Sequence, residues 1–350
     1  MRSCFATVLC LALSGCAGEP GWIDDRFYVR TDDGTDLYVH AVGDGTSNEF
    51  VVFLHGGPGG GSSTYELAPS APILHEDLVM VYLDQRGQGA SEGRTRPEDL
   101  TLPTLAQDVV EVMDVVEKLY LDDRIGDPRL WLMGHSWGGL LGPQVLLETV
   151  AADRLAGWIE VAGAHDVPKM YTDSRTLLIE TAELQLEGKL DDESKASWQE
   201  LRKSAQAAPA ASPDLAQLLE LQQLAQSTTG LLQEVEDQHL SNGEKIGWAL
   251  NRPNDALANI LAANAVSKAL LDKELKRSWS ERYRELTLPT LLVWGRYDLV
   301  VPTTLAEDVQ LRIASQTADL VILENSAHAP MFQQPEAYAE AILDFMAEVP

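Results

Sequence analysis

At 350 residues the chain is long enough for one large domain or a domain with an insertion, and its 45% hydrophobic content is ordinary for a soluble globular protein. The formal charge of −28 argues against nucleic acid and anionic membrane surfaces as partners, because phosphate recognition needs clustered Lys and Arg. An acidic, solvated surface that keeps the protein soluble accounts for that charge.

All three cysteines, Cys4, Cys10 and Cys16, fall in the first sixteen residues. Arg2 is a minimal positive region and Phe5 to Leu13 an apolar one too short to span a bilayer. Leu13-Ser14-Gly15-Cys16 follows, and it resembles a bacterial lipobox. The expectation is a leader over residues 1–16, with Cys16 becoming the lipidated first residue of an exported, membrane-anchored protein. Membrane association would then run through the lipid alone. A mature chain of this kind keeps no cysteine pair for an internal disulfide or a thiolate metal site.

Past a spacer holding Gly18, Pro20 and Gly21, Arg26 to Arg30 and Leu37 to Val42 read as two strands of a hairpin around Asp32-Asp33-Gly34. Phe50 to Leu54 is a continuous apolar run, as in a strand buried on both faces, and it leads straight into His55-Gly56-Gly57-Pro58-Gly59-Gly60-Gly61. Leu78 to Leu83 is the next strand, ending at Asp84-Gln85-Arg86; an acid–arginine turn is the expected use of Asp84. Thr104 to Tyr120 has helical periodicity, with Leu105, Val109, Val112, Val116 and Leu119 on one face.

Leu130 to Met133 then reads as a short buried strand, Gly134-His135-Ser136-Trp137-Gly138 fits G-x-S-x-G, and Gly139 to Thr149 reads as a helix. A serine on such a turn has strained backbone angles, so the residues two before and two after it must be small. Gly157 to Val161 is a further strand. From about Asp166 to Glu285 only helical sequence is found, with breaks at Ala207 to Pro213 and near Asn251 to Asn254. Strands resume at Thr290 to Trp294 and Leu320 to Leu323, separated by a helix, and Pro335 to Met346 closes the chain as a helix. Alternating strands and helices imply a mostly parallel α/β sheet. The expected organisation is a core over residues 22–165 and 286–350 interrupted by a helical cap over 166–285.

A serine hydroxyl becomes a useful nucleophile only when a neighbouring base takes its proton. Of seven histidines, His40 sits within an early strand, His75 precedes a strand, and His55 heads the glycine loop, where an imidazole can pin the turn. His135 points away from its neighbour Ser136, and His165 and His239 belong to the insertion or its edge. His328, in the loop after the last strand, remains as the base, at the carboxyl edge where ligands of open α/β sheets bind. Asp298, in the loop after the penultimate strand, can orient that imidazole, and the order Ser136, Asp298, His328 matches the α/β-hydrolase arrangement. The oxyanion donors expected are the N–H of Trp137, next after the serine, and that of Gly57 in the glycine loop. No metal or cofactor is called for by this chemistry. A glycine loop with no following Lys-Ser/Thr is a poor phosphate cradle, and an aspartate would stand at position 136 in a dehalogenase or epoxide hydrolase.

Taken together, His55-Gly56-Gly57-Pro58-Gly59-Gly60, Asp84-Gln85-Arg86-Gly87-x-Gly89-x-Ser91, Gly134-His135-Ser136-Trp137-Gly138-Gly139, Gly295-Arg296-x-Asp298 and His328-Ala329-Pro330 resemble the prolyl iminopeptidase family of α/β hydrolases. The resemblance covers roughly residues 26–165 and 286–350. It implies an α/β-hydrolase fold with a helical cap, and a serine triad that removes an N-terminal proline or other residue from short peptides. That family holds the substrate's free amine with glutamates of the cap and near the triad acid. Here Leu299 follows Asp298, and Gly247 to Leu271 holds no glutamate, only Asp255. Glu234, Glu236 and Glu244 are the cap candidates, with Glu180, Glu183 and Glu187 as alternatives. A carboxylesterase or lactonase with the same triad, acting on a small acyl substrate, is a second reading, and a non-catalytic ligand-binding protein on the same fold is a third.

Overall fold

The computed structural model describes residues 21–93, 95–232, 235 and 263–350. The leader with Cys16, the helical break near Asn251, His239 and the candidates Glu234, Glu236 and Glu244 lie outside the described residues.

Three strands come first: β1 (Trp22–Arg30), β2 (Asp36–Asp44) and β3 (Glu49–Leu54). The short helices α1 (Ser63–Glu66) and α2 (Ser70–His75) precede β4 (Val79–Leu83). Then α3 (Leu102–Val116), β5 (Arg129–His135), α4 (Trp137–Glu148) and β6 (Gly157–Val161) alternate. The described inserted helices are α5 (Val167–Glu187), α6 (Asp192–Ala207), α7 (Leu215–Thr229) and α8 (Ala263–Glu274). The chain returns through a 3₁₀ turn, Ser280–Glu285, into β7 (Thr290–Gly295), α9 (Thr303–Arg312) and β8 (Ala318–Leu323). The short α10 (Pro330–Gln333) and α11 (Pro335–Glu348) close the chain.

All eight strands join one sheet in the order β1-β2-β4-β3-β5-β6-β7-β8. The β1–β2 and β2–β4 pairs are antiparallel and every later pair is parallel. Parallel strands need crossovers that cover both sheet faces, which explains the unbroken apolar runs. In β3, Phe50, Val52 and Leu54 enter the larger core with α3 and α4, while Val51 and Phe53 enter the opposite core with α2 and α11. Burying one such side chain fully stabilises the fold by about 1.5–3 kcal/mol. Among the described residues no helix is long and apolar enough to cross a membrane.

Two sequence expectations shift. Leu105, Val109, Val112 and Val116 are buried as the helical phase requires, but Leu119 is 44% exposed. The last turn, Glu117–Leu121, is a π-helix closed by Asp122 N–H to Glu117 O, and its wider turn rotates Leu119 off the buried face. Asp84 forms no turn with Arg86. Its two oxygens accept the N–H groups of Ser62 (2.6 Å) and Ala90 (2.7 Å), which satisfy a fully buried carboxylate. The guanidinium of Arg86 instead takes both oxygens of Asp108 in α3, at 2.8 and 2.6 Å, and reaches Asp33 in the hairpin turn.

Candidate active site

β5 stops at His135 and α4 starts at Trp137, leaving Ser136 alone to reverse the chain with φ 55° and ψ −112°. That is left-handed backbone in a non-glycine residue, a conformation that the surroundings must hold. The flanking glycines permit it: a Cβ on Gly134 would lie 2.5 Å from Gly138 O, and one on Gly138 2.1 Å from Leu54 O. The turn therefore packs as the sequence requires.

β7 and β8 end at the same edge. Their loops bring Asp298 and His328 to the serine: His328 Nε2 lies 3.0 Å from Ser136 Oγ, and His328 Nδ1 lies 2.8 Å from Asp298 Oδ2. Asp298 is fully buried, and its other oxygen accepts the N–H groups of Val300 (2.9 Å) and Val301 (2.8 Å). The carboxylate thus both pins its own loop and faces the ring. A carboxylate there makes Nδ1 the protonated nitrogen and leaves Nε2 as the hydrogen-bond acceptor that faces Ser136 Oγ.

The glycine loop closes on the serine from the β3 side. A Cβ on Gly56 would come 3.2 Å from Ser136 Cβ, so the loop lies directly against the Ser136 side chain. Gly57 follows with φ +126°, open to glycine but not to other residues. Among the described residues neither the Gly57 N–H nor the Trp137 N–H has a protein acceptor, and the second opens α4, where the helix dipole favours negative charge.

His55 pins this loop as expected. Its Nδ1 donates to Gly56 O (2.8 Å) and its Nε2 accepts Gln85 N–H (3.2 Å), a pattern that requires a neutral ring; burial pushes its pKa down. Gln85 continues the brace by donating to His55 O (2.9 Å) and accepting the Trp137 indole N–H (3.0 Å).

His135 and Tyr65 carry more than the sequence indicated. Among the described residues His135 makes no hydrogen bond to Ser136 Oγ, and its Nε2 donates to the backbone carbonyl of His328 at 2.7 Å. Its Nδ1 accepts from Tyr65 Oη at 2.8 Å, and Tyr65 Oη accepts Gly56 N–H at 2.9 Å. One hydrogen-bonded line therefore joins the glycine loop, the serine turn and the His328 loop. Burial, with His328 beside it, pushes the His135 pKa down to about 3 and keeps the ring neutral. The position of Tyr65, nine residues past Gly56, carries no spacing signal that sequence reasoning could use.

Of the alternative cap carboxylates, Glu180, Glu183 and Glu187 are exposed on α5. Among the described residues no three His, Cys, Asp or Glu side chains are gathered as metal ligands.

A strained serine on a strand-to-helix turn, at the carboxyl edge of a mostly parallel sheet with an acid and a histidine behind it, defines an α/β-hydrolase site. The chain belongs to the alpha/beta hydrolase family, whose profile matches residues 51–341. It is 26% identical over 321 residues to a proline iminopeptidase of Saccharolobus solfataricus, covering 90% of each chain. Its fold is similar to the solved proline iminopeptidase of Mycobacterium smegmatis, with TM-score 0.62, 15% identity and 93% and 98% of the two chains covered. An esterase from Exiguobacterium antarcticum is also similar, with TM-score 0.58, 18% identity and 92% and 99% covered.

Proposed function

We propose that this protein is a serine hydrolase in which Ser136 is the nucleophile, His328 the general base and acid, and Asp298 the group that orients His328. The observation that carries the reading is the 3.0 Å approach of His328 Nε2 to Ser136 Oγ, backed by Asp298 at 2.8 Å. His328 takes the serine proton as Oγ attacks the substrate carbonyl, and the Gly57 and Trp137 N–H groups receive the oxyanion. The protonated ring then gives its proton to the departing amine or alcohol. In deacylation His328 takes a proton from the attacking water and returns it to Ser136 Oγ as the acyl–oxygen bond breaks, releasing the acid and the free serine.

For the substrate, we infer the release of an N-terminal residue, proline or another, from short peptides. Support comes from the near-full-length similarity to the Saccharolobus solfataricus proline iminopeptidase. A free N-terminal ammonium must lose water at such a site and needs a carboxylate partner. Glu234, Glu236 and Glu244 are the proposed source. The second reading, a carboxylesterase or lactonase, draws on Leu299, a buried apolar side chain directly after the triad acid.

Prolyl- and alanyl-arylamides compared with neutral acyl esters decide between them. A kcat/KM at least tenfold higher on free-amine arylamides supports the peptidase, and the reverse preference assigns the esterase. The leader motif ending at Cys16 supports export and lipid anchoring. Cys16→Ser would then release the enzyme from the membrane fraction, and unchanged fractionation would refute the anchor.

A further inference from the structure

Ser136 is held from below by the segment that follows β6. Its N–H donates to Val161 O at 3.0 Å and its C=O accepts Ala164 N–H at 2.9 Å, so both backbone polar groups of the serine are tied to residues 161–164. This segment is itself in an unfavoured conformation, with Ala162 at φ 45°. Two left-handed non-glycine residues, Ser136 and Ala162, therefore sit in segments joined by these bonds, and the surroundings must hold both.

Glu160 and His165 close that segment. Both are fully buried, and His165 Nδ1 donates to Glu160 Oε1 at 2.6 Å. The carboxylate lies under the loop backbone, since a Cβ on Gly163 would meet Glu160 Oε1 at 2.0 Å. Its second oxygen accepts the Trp158 indole N–H at 3.3 Å and the Tyr283 hydroxyl. A buried carboxylate is a poor device for stability alone, because well-packed apolar residues serve as well. What it adds is a fixed geometry.

The far end of the segment is where the inserted helices leave the core. His165 C=O accepts Trp279 N–H (2.9 Å), Val167 N–H donates to Arg277 O (2.9 Å), and Asp166 Oδ2 accepts Ser280 Oγ (2.9 Å). Tyr283, on the returning 3₁₀ turn, completes the ring by its bond to Glu160. We propose that Glu160 and His165 are positioning residues for Ser136, closing the loop that holds the serine's backbone and tying it, through Tyr283, to the returning end of the inserted helices. This rests on the reading of Ser136 as the nucleophile.

The test uses His165→Leu, which keeps the bulk and removes the donor, and His165→Asn, which keeps an N–H near the Nδ1 position. Tyr283→Phe, which removes only a hydroxyl, serves as a variant that keeps its packing. Each is measured for Tm, for kcat and KM on an aryl ester, and for the rate at which a fluorophosphonate modifies Ser136. His165→Leu should lower kcat and the modification rate at least tenfold with KM within twofold, and His165→Asn should restore most of both. Tyr283→Phe should lower both severalfold. Variants that lose Tm but react as fast as the unaltered protein overturn the proposal. An unaltered protein that the fluorophosphonate does not modify at Ser136 overturns the nucleophile reading and this inference with it.

Discussion

His135 donates through Nε2 to the backbone carbonyl of His328 at 2.7 Å, so the residue before Ser136 holds the loop that carries His328. The two rings sit 4.9 Å apart between centroids. A proton added to His135 would place a second positive charge beside the His328 imidazolium during the reaction. The depressed His135 pKa, caused first by burial and then by His328, keeps that charge away.

The line from Gly56 through Tyr65 to His135 gives a direct prediction. Tyr65→Phe removes the acceptor of Gly56 N–H and the donor to His135 Nδ1 together. A net hydrogen bond is worth about 1 kcal/mol, so kcat should fall roughly fivefold for one bond and more for two. KM on a small ester should stay close to its starting value. Steady-state kinetics with kcat unchanged would show that the line does not position the site.

Asp298→Asn should lower kcat roughly 10³–10⁴-fold, because an amide cannot stabilise the imidazolium and can hold the wrong tautomer. The loop itself should survive, since the Asn oxygen can still accept the Val300 and Val301 N–H groups. A near-normal rate with an intact fold would move the orienting role to another carboxylate.

A histidine base predicts that kcat/KM falls as the solution is acidified, because protonated His328 cannot accept the serine proton. A profile flat from about pH 5 to 8 would contradict it. His135, already neutral down to about 3, should contribute nothing to the curve in that range.

Stability should depend on pH through Glu111 in α3. Burial, with Asp108 and Asp32 nearby, pushes its pKa up from an ordinary 4.5 to about 7. A carboxyl held above its unfolded value binds its proton more tightly in the fold. Its contribution is therefore present below about pH 4.5 and is lost as pH rises through about 7. Glu111→Gln should accordingly raise Tm more at pH 8 than at pH 5. Equal effects at the two pH values would show that Glu111 ionises freely.

The sheet, and the residues Ser136, Asp298 and His328 that the fold brings together, were legible because each leaves a local mark. Apolar runs as long as Phe50 to Leu54 fit only a strand covered on both faces, and the glycines at 134 and 138 answer a steric demand at Ser136. His328 could be reached by elimination because its loop follows a strand end. The rest depends on contacts between distant segments. Arg86 chose Asp108, 22 residues on, over the nearer Asp84, because two amide groups already satisfied Asp84. Leu119 left its expected face through one widened turn. Tyr65, and the buried pair of Glu160 with His165, have no periodic or motif signal, and only the folded backbone brings them to the serine.

As the proposed nucleophile, Ser136 would carry the covalent intermediate. The most direct test is incubation with a fluorophosphonate, followed by mass spectrometry of the digested protein and by assay of Ser136→Ala. A single adduct on the peptide containing Ser136 is expected, abolished by Ser136→Ala, with turnover in that variant reduced ~10⁴-fold or more. No adduct, an adduct on another residue, or substantial activity in folded Ser136→Ala would contradict it.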